Sequence, residues 1–216
     1  MLSSQKLDFS FEIKSMGISY YAPLLVILLS IIYVFFSSGL DAIEHISHLL
    51  EFVVCPFAAW WSIYLFFDYY EDRASEVLFS YPLSSFFHGI LRVTSFFILF
   101  LIGFFILLLT ITLKNPSVSL MDISINYIPQ AMLYSYLGFT LMIVSRNIIF
   151  PLLLIIGYIA MKYFTMGGSL FPIYNVMSFS LDMSLSSKIV GLCLQNIVIS
   201  IFLAIIGHIT LLKRKI

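Results

Sequence analysis

The chain has 216 residues, of which 61% are hydrophobic and only 10% charged, with a mean hydropathy of +1.06. Soluble domains carry roughly 25% charged residues, so a surface this apolar excludes a water-soluble globular protein and requires lipid as its solvent. The formal net charge of zero leaves no concentrated cationic face and excludes a nucleic-acid partner.

The N-terminus, MLSSQKLDFSFEIKS, contains acidic residues and lacks a compact apolar core before a small-residue cleavage site, so it does not read as a signal peptide. It reads as an amphipathic N-terminal segment over 1–17. A helix crossing hydrocarbon needs about 20 apolar residues, and the gaps between charges predict six such spans. They lie at about 18–38, 49–67, 93–113, 127–145, 148–165 and 189–212. The expected fold is an all-α integral membrane protein forming a single domain, with no internal repeat.

The first outer loop carries Asp41, Glu44, His45 and His48 at i, i+3, i+4 and i+7. Carboxylates and imidazoles on one helical face could ligate zinc. An interfacial amphipathic helix, with Ile43, Ile46, Leu49 and Leu50 toward lipid, explains the same pattern without a metal. Glu51 falls at the edge of the second span. Within that span Phe57, Trp60, Trp61, Tyr64 and Phe67 recur at helical spacing. Such a stripe is either helix–helix packing or the wall of a path.

Residues 163–181 are uncharged but punctuated by Gly167, Gly168, Pro172, Asn175 and several serines, which argues against a continuous lipid-facing helix. A re-entrant or surface-lying segment over 166–188 is expected instead. Gln195 and Asn196 fall in the outer half of the sixth span, as helix glue or as path contacts. Cys55 and Cys193 sit in apolar runs and read as packing residues.

With the N-terminus inside, Lys6, Lys14, Arg73, Arg92, Arg146, Lys213, Arg214 and Lys215 face the cytoplasm. Only Lys114, Lys162 and Lys188 of the 11 basic residues face out. This asymmetry predicts N-in, C-in topology.

The longest inner loop reads DYYEDRASEVLFSYPLSSFFHGILR over 68–92. Glu71, Asp72, Arg73 and Glu76 form a charged helical start, Leu78 and Phe79 an apolar pair, and Pro82 a break before the chain returns to the membrane. This order resembles the cytoplasmic coupling helix of type-2 ABC export permeases, in which Glu, a Gly-Thr pair, Glu-Leu-Leu and Pro-Val or Pro-Leu with Ser and a base follow one another. Here Glu71, Ala74-Ser75, Glu76-Val77-Leu78 and Pro82-Leu83-Ser84 occupy those places. Ala74 replaces the usual Gly, and Phe86 with His88 the usual early base. The six spans, the N-terminal segment, the long last outer loop and the basic tail agree with that family.

The resemblance implies a bacterial plasma-membrane permease subunit that exports an amphipathic peptide, drug or lipid-like cargo. The chain contains no G-x-x-x-x-G-K-[ST] motif, so it holds no cofactor of its own and is not itself the enzyme. ATP and Mg would be bound by a separate ABC ATPase subunit, in two copies, docked on 68–88. A second permease chain, identical or homologous, would complete the path. Glu71, Asp72, Arg73, Glu76, Leu78, Phe79 and Pro82 are the expected coupling residues; Phe57, Trp60, Trp61, Tyr64, Gln195 and Asn196 are the candidates for the path. Two other classes compete: an intramembrane enzyme, protease-like, built on His45, His48 and Glu51, and the membrane subunit of a vitamin import complex. The first lacks a serine–histidine or tandem-acid motif, and the second would lack the charged helix after span two.

Overall fold

The computed structural model describes residues 9–39, 41–67, 70, 86–165, 173–180 and 183–213. Among them there is no strand, and eight α-helices follow in chain order. These are α1 (Phe9–Met16), α2 (Tyr21–Phe36), α3 (Ala42–Leu49), α4 (Cys55–Tyr64), α5 (Arg92–Lys114), α6 (Leu120–Ser145), α7 (Ile149–Thr165) and α8 (Ser187–Lys213).

Several join end to end. A 3-10 turn at Gly17–Tyr20 links α1 to α2, so Phe9–Phe36 runs on as one rod. Gly17 has φ +55° at this join, a value glycine adopts without the Cβ clash other residues suffer. A π-helical turn, Leu50–Val54, joins α3 to α4. Pro56 follows it; proline lacks an N–H and its ring crowds the carbonyl four residues back, here that of Phe52. A wider turn accommodates both. A second π turn, Phe87–Leu91, leads into α5.

Among the described residues, five helical units are long and apolar enough to cross a membrane: Phe9–Phe36, Ala42–Tyr64, Gly89–Lys114, Leu120–Ser145 and Ser187–Lys213. The shorter α7 is apolar too. Phe9–Phe36 begins before residue 18 because α1 runs on into α2, and two further units begin earlier than expected because a charged residue does not end them. Ala42–Tyr64 begins well before residue 49, because the stretch read as an outer-loop helix is the first two turns of this unit. Ile46 and Leu50 of that stretch are fully buried, so they pack into the bundle instead of facing lipid. Glu51, read as lying at the span's edge, is likewise inside and fully buried. Leu120–Ser145 also starts earlier than residue 127, since Asp122 in its first turn does not interrupt the helix.

Burial sorts the helices into a centre and a periphery. In their most apolar 18-residue stretches, Ala42–Tyr64 and Leu120–Ser145 are each 67% buried, against 22% for Phe9–Phe36 and 28% for Ser187–Lys213. Helix α6 is the axis: α8 and α4 make the most extensive contacts, on it, and α5 and α7 also pack against it. The α4–α6 approach is close because both sides are small. A Cβ on Gly138 would sit 3.0 Å from the Ala59 carbonyl oxygen and 3.0 Å from its Cβ. Ser62 and Ser135, one turn away along the same interface, share a hydrogen bond of 2.7 Å. Small residues that let backbones approach are how helices gain dispersion contacts in lipid, where burial itself gives no drive. Exposed apolar side chains, among them Leu25, Leu28, Phe36, Ile102, Leu113, Leu153, Val198 and Phe202, coat the periphery as a lipid-facing surface should.

Candidate functional site

The aromatic stripe of α4 divides into two faces. Phe57, Trp60, Tyr64 and Phe67 form a ladder, with ring centroids 5.5 Å apart for Phe57–Trp60, 4.8 Å for Trp60–Tyr64 and 6.1 Å for Tyr64–Phe67. Trp61 points the other way and is buried, stacked on Tyr20 at 5.4 Å with Phe96 edge-on at 5.8 Å. Both indoles have a definite polar task. Trp60 Nε1 donates to the Ser19 carbonyl (2.9 Å) and Trp61 Nε1 to that of Tyr20 (2.8 Å). These carbonyls belong to the 3-10 turn, where regular helical bonding is interrupted. Mid-span tryptophans therefore serve here as caps for the break between α1 and α2.

The ladder borders a lateral cleft of about 480 Å³ between the α3–α4 unit and α7. Phe52, Phe57 and Trp60 line one wall; Ile155, Ile159 and Tyr163 line the other. Trp61 does not reach it. Nor do Gln195 and Asn196, which lie on α8: Asn196 is fully buried, while Gln195 faces a separate cavity of about 460 Å³ with Ser178, Phe179 and Lys188. The structure thus brings Phe57, Trp60 and Tyr64 together and keeps the two amides apart from them.

At a different place the bundle holds a polar assembly built around residues 173–180, the described core of the expected re-entrant segment. This stretch is non-helical, and Val176 and Met177 are buried. Irregular backbone within a membrane bundle must find protein partners, and here four helical units supply them. Glu51 Oε1 accepts the backbone N–H groups of Ser178 (2.9 Å) and Phe179 (3.1 Å) and the Ser178 hydroxyl (2.5 Å). Ser47 Oγ donates to the Ser180 carbonyl (2.9 Å). Asn126 of α6 donates to Ser178 Oγ (3.1 Å) and receives Gln130 Nε2 (3.3 Å). From α7, the Tyr158 hydroxyl donates to Tyr174 O and receives Val176 N–H (2.8 and 2.9 Å), and Lys162 Nζ donates to Ile173 O (3.2 Å). From α8, Asn196 donates to Val176 O (3.0 Å) and accepts from the Tyr174 hydroxyl (3.0 Å).

At the base of α5, buried Arg92 is ion-paired with Glu12 of α1 and lies over the Phe66 ring at 5.4 Å. Lys114, at the other end of α5, donates to the Phe35 carbonyl (2.8 Å) and to those of Val34 and Ser37, closing the C-terminus of α2.

The expected coupling residues Glu71, Asp72, Arg73, Glu76, Leu78, Phe79 and Pro82 lie outside the described residues. Among those described, no three His, Cys, Asp or Glu side chains are grouped to hold a metal ion, and Cys55 and Cys193 are free and buried. Sequence reasoning missed the roles of Glu51, Asn126, Gln130 and Ser178. A lone carboxylate within an apolar run, and two amides at i and i+4, were the available signals.

By fold the chain is an all-helical membrane protein. Compared with known proteins it matches no protein family, and no curated protein or solved structure is significantly similar to it.

Proposed function

We propose that the chain is the permease subunit of an ATP-driven exporter, energised by a separate ATPase that docks on the 68–88 segment. The observation that carries this reading is the buried Glu12–Arg92 ion pair. Arg92 opens α5 directly after the π turn Phe87–Leu91, next in sequence to the 68–88 segment, and Glu12 sits on the N-terminal helix. A push on the 68–88 segment would thus reach α5 and, through this pair, the Phe9–Phe36 rod together, moving them as a rigid body. In the proposed arrangement six helices span the plasma membrane with both termini inside. The sixth is α7, whose 17 residues extend about 26 Å at 1.5 Å per residue, close to the roughly 30 Å of hydrocarbon.

The lateral cleft supports an amphipathic or lipid-like cargo. Its lining is apolar and aromatic on both walls, suited to acyl chains or apolar side chains entering from the bilayer. Two ATPase copies and a second permease chain complete the proposed assembly, in a bacterial plasma membrane. The test is co-purification with candidate ATPases, followed by ATP hydrolysis in nanodiscs with and without amphipathic peptides or lipids. Cargo-stimulated hydrolysis that is lost on Glu76→Lys or Phe79→Ala supports the reading. Failure of every candidate ATPase to bind refutes it.

A further inference from the structure

The lateral cleft between the α3–α4 unit and α7 is long, narrow and open to polar contacts at one end only. Its walls extend from Phe52 to Ile63 and from Leu152 to Phe164, about 17–18 Å each at 1.5 Å per residue. That is close to one leaflet of hydrocarbon, about 15 Å of the roughly 30 Å core. Spread over this length, a volume of about 480 Å³ leaves a channel about 6 Å wide, against roughly 10–12 Å for a helix with its side chains. The channel is too narrow for a helix of a second copy. A single row of methylenes, meeting carbon on either side at about 3.5–4.0 Å, fits it.

The two ends differ. At the inner end the Trp60 Nε1 is spent on the Ser19 carbonyl, and Ile63 and Leu152 offer no polar group. At the other end the Phe52 ring meets Tyr163 edge-on at 5.2 Å and His48 at 5.7 Å. Tyr163 is half-exposed and His48 partly so, and among the described residues neither side chain makes a hydrogen bond. Tyr163 stands two residues before the C-terminus of α7, so this end lies near a membrane surface.

We propose that the cleft binds one phospholipid, with an acyl chain laid along it from Phe52 to Ile63 and the phosphate at the His48–Tyr163 end. Within a bilayer, apolar burial gives no preference for the cleft over bulk lipid. Retention comes from dispersion contacts in a channel fitted to one chain, and from a phosphate that accepts hydrogen bonds from the Tyr163 hydroxyl and the His48 imidazole.

The site stands independently of the exporter reading, since it needs no ATPase. Lipid binding without ATPase docking, and docking without lipid binding, are separate results.

The experiment uses the full chain in phosphatidylcholine nanodiscs. A small fraction of the lipid carries a photoreactive diazirine on one acyl chain, either near the glycerol or near the terminal methyl, and adducts are mapped by mass spectrometry. Cleft residues should be labelled above the exposed Leu25 and Leu28 of α2, the glycerol-side probe at Phe52 and Tyr163 and the terminal probe at Trp60 and Leu152. Ala160→Trp fills the channel from α7 and should abolish the cleft adducts while those on α2 persist. Should it not fold, Ile156→Trp, at a more exposed lining position, takes its place. A diacylglycerol with the same probe lacks the phosphate and should label the cleft about tenfold less relative to α2, as expected for one lost charge-assisted hydrogen bond. Cleft labelling no stronger than that of α2, or a reversed order of the two probes, overturns the proposal. Equal labelling by the diacylglycerol does so too, and loss of cleft adducts when two copies share a nanodisc assigns the cleft to a second copy instead.

Discussion

The Glu51 carboxylate accepts the backbone N–H of Ser178 at 2.9 Å across 127 residues of sequence. One side chain of the α3–α4 unit thereby fixes the non-helical segment that precedes α8. Ser178→Ala removes one donor and should cost about 1 kcal/mol. Glu51→Ala strands two buried N–H groups and should cost about 2–6 kcal/mol, at about 1–3 each. Thermal unfolding in detergent measures the difference, and limited proteolysis between 173 and 180 should accelerate in the order wild type, Ser178→Ala, Glu51→Ala. Equal cleavage in all three would mean that the carboxylate does not hold the segment.

The Gly138–Ala59 contact sets the spacing of the two most buried rods. A methyl at Gly138 meets backbone, not a movable side-chain tip, so Gly138→Ala forces the helices apart and should destabilise by about 1–3 kcal/mol. Gly157, with open space around its Cβ position, is the control. Gly157→Ala should leave the melting temperature unchanged or raise it slightly, because alanine favours the helix by about 1 kcal/mol.

The buried Glu12–Arg92 pair should behave asymmetrically on single and double replacement. Arg92→Met alone removes the guanidinium that neutralises the buried Glu12 carboxylate and should cost about 3–5 kcal/mol. Glu12→Leu with Arg92→Met removes both charges and should recover most of that loss in a double-mutant unfolding cycle. In the exporter reading, the double variant keeps stability but couples hydrolysis to transport less well, because the two helices lose their charged link.

Trp60 and Trp61 are adjacent in sequence and should differ in effect. Trp61→Phe removes the donor to Tyr20 O in a fully packed site and should lower stability by about 1–3 kcal/mol. Trp60→Phe, half-exposed along the cleft, should be milder in unfolding; in the exporter reading it should also alter cargo-stimulated ATPase activity, as should Phe57→Ala. A larger unfolding loss for Trp60→Phe than for Trp61→Phe would reverse these assignments.

Topology can be read with single cysteines, since Cys55 and Cys193 are buried and should react slowly. Ser119 and Asn147 are exposed at opposite ends of α6. In the proposed orientation, Ser119→Cys is labelled by an impermeant maleimide in intact cells and Asn147→Cys only after permeabilisation. The opposite result inverts the membrane orientation.

Composition and the spacing of charges were enough to establish a helical membrane protein and to place most of its apolar helices, because lipid allows few backbone solutions and demands long uncharged runs. The same one-dimensional rule misplaced Glu51 and the start of its helix. A charge was treated as a boundary, whereas here residues 127 and 128 positions further on supply the partners that let it lie inside. The non-helical character of 173–180 was legible in its Asn175 and the serines around it; its docking was not, since Asn126, Tyr158, Lys162 and Asn196 converge on it only through helix packing. The division of the aromatic stripe was hidden as well. Periodicity puts Trp60 and Trp61 on one helix, but that both cap the 3-10 turn while only Trp60 also lines the cleft depends on where α2, α5 and α7 lie. Hydropathy is a property of each residue and survives in the sequence, whereas partnership is a property of pairs and exists only once the chain has packed.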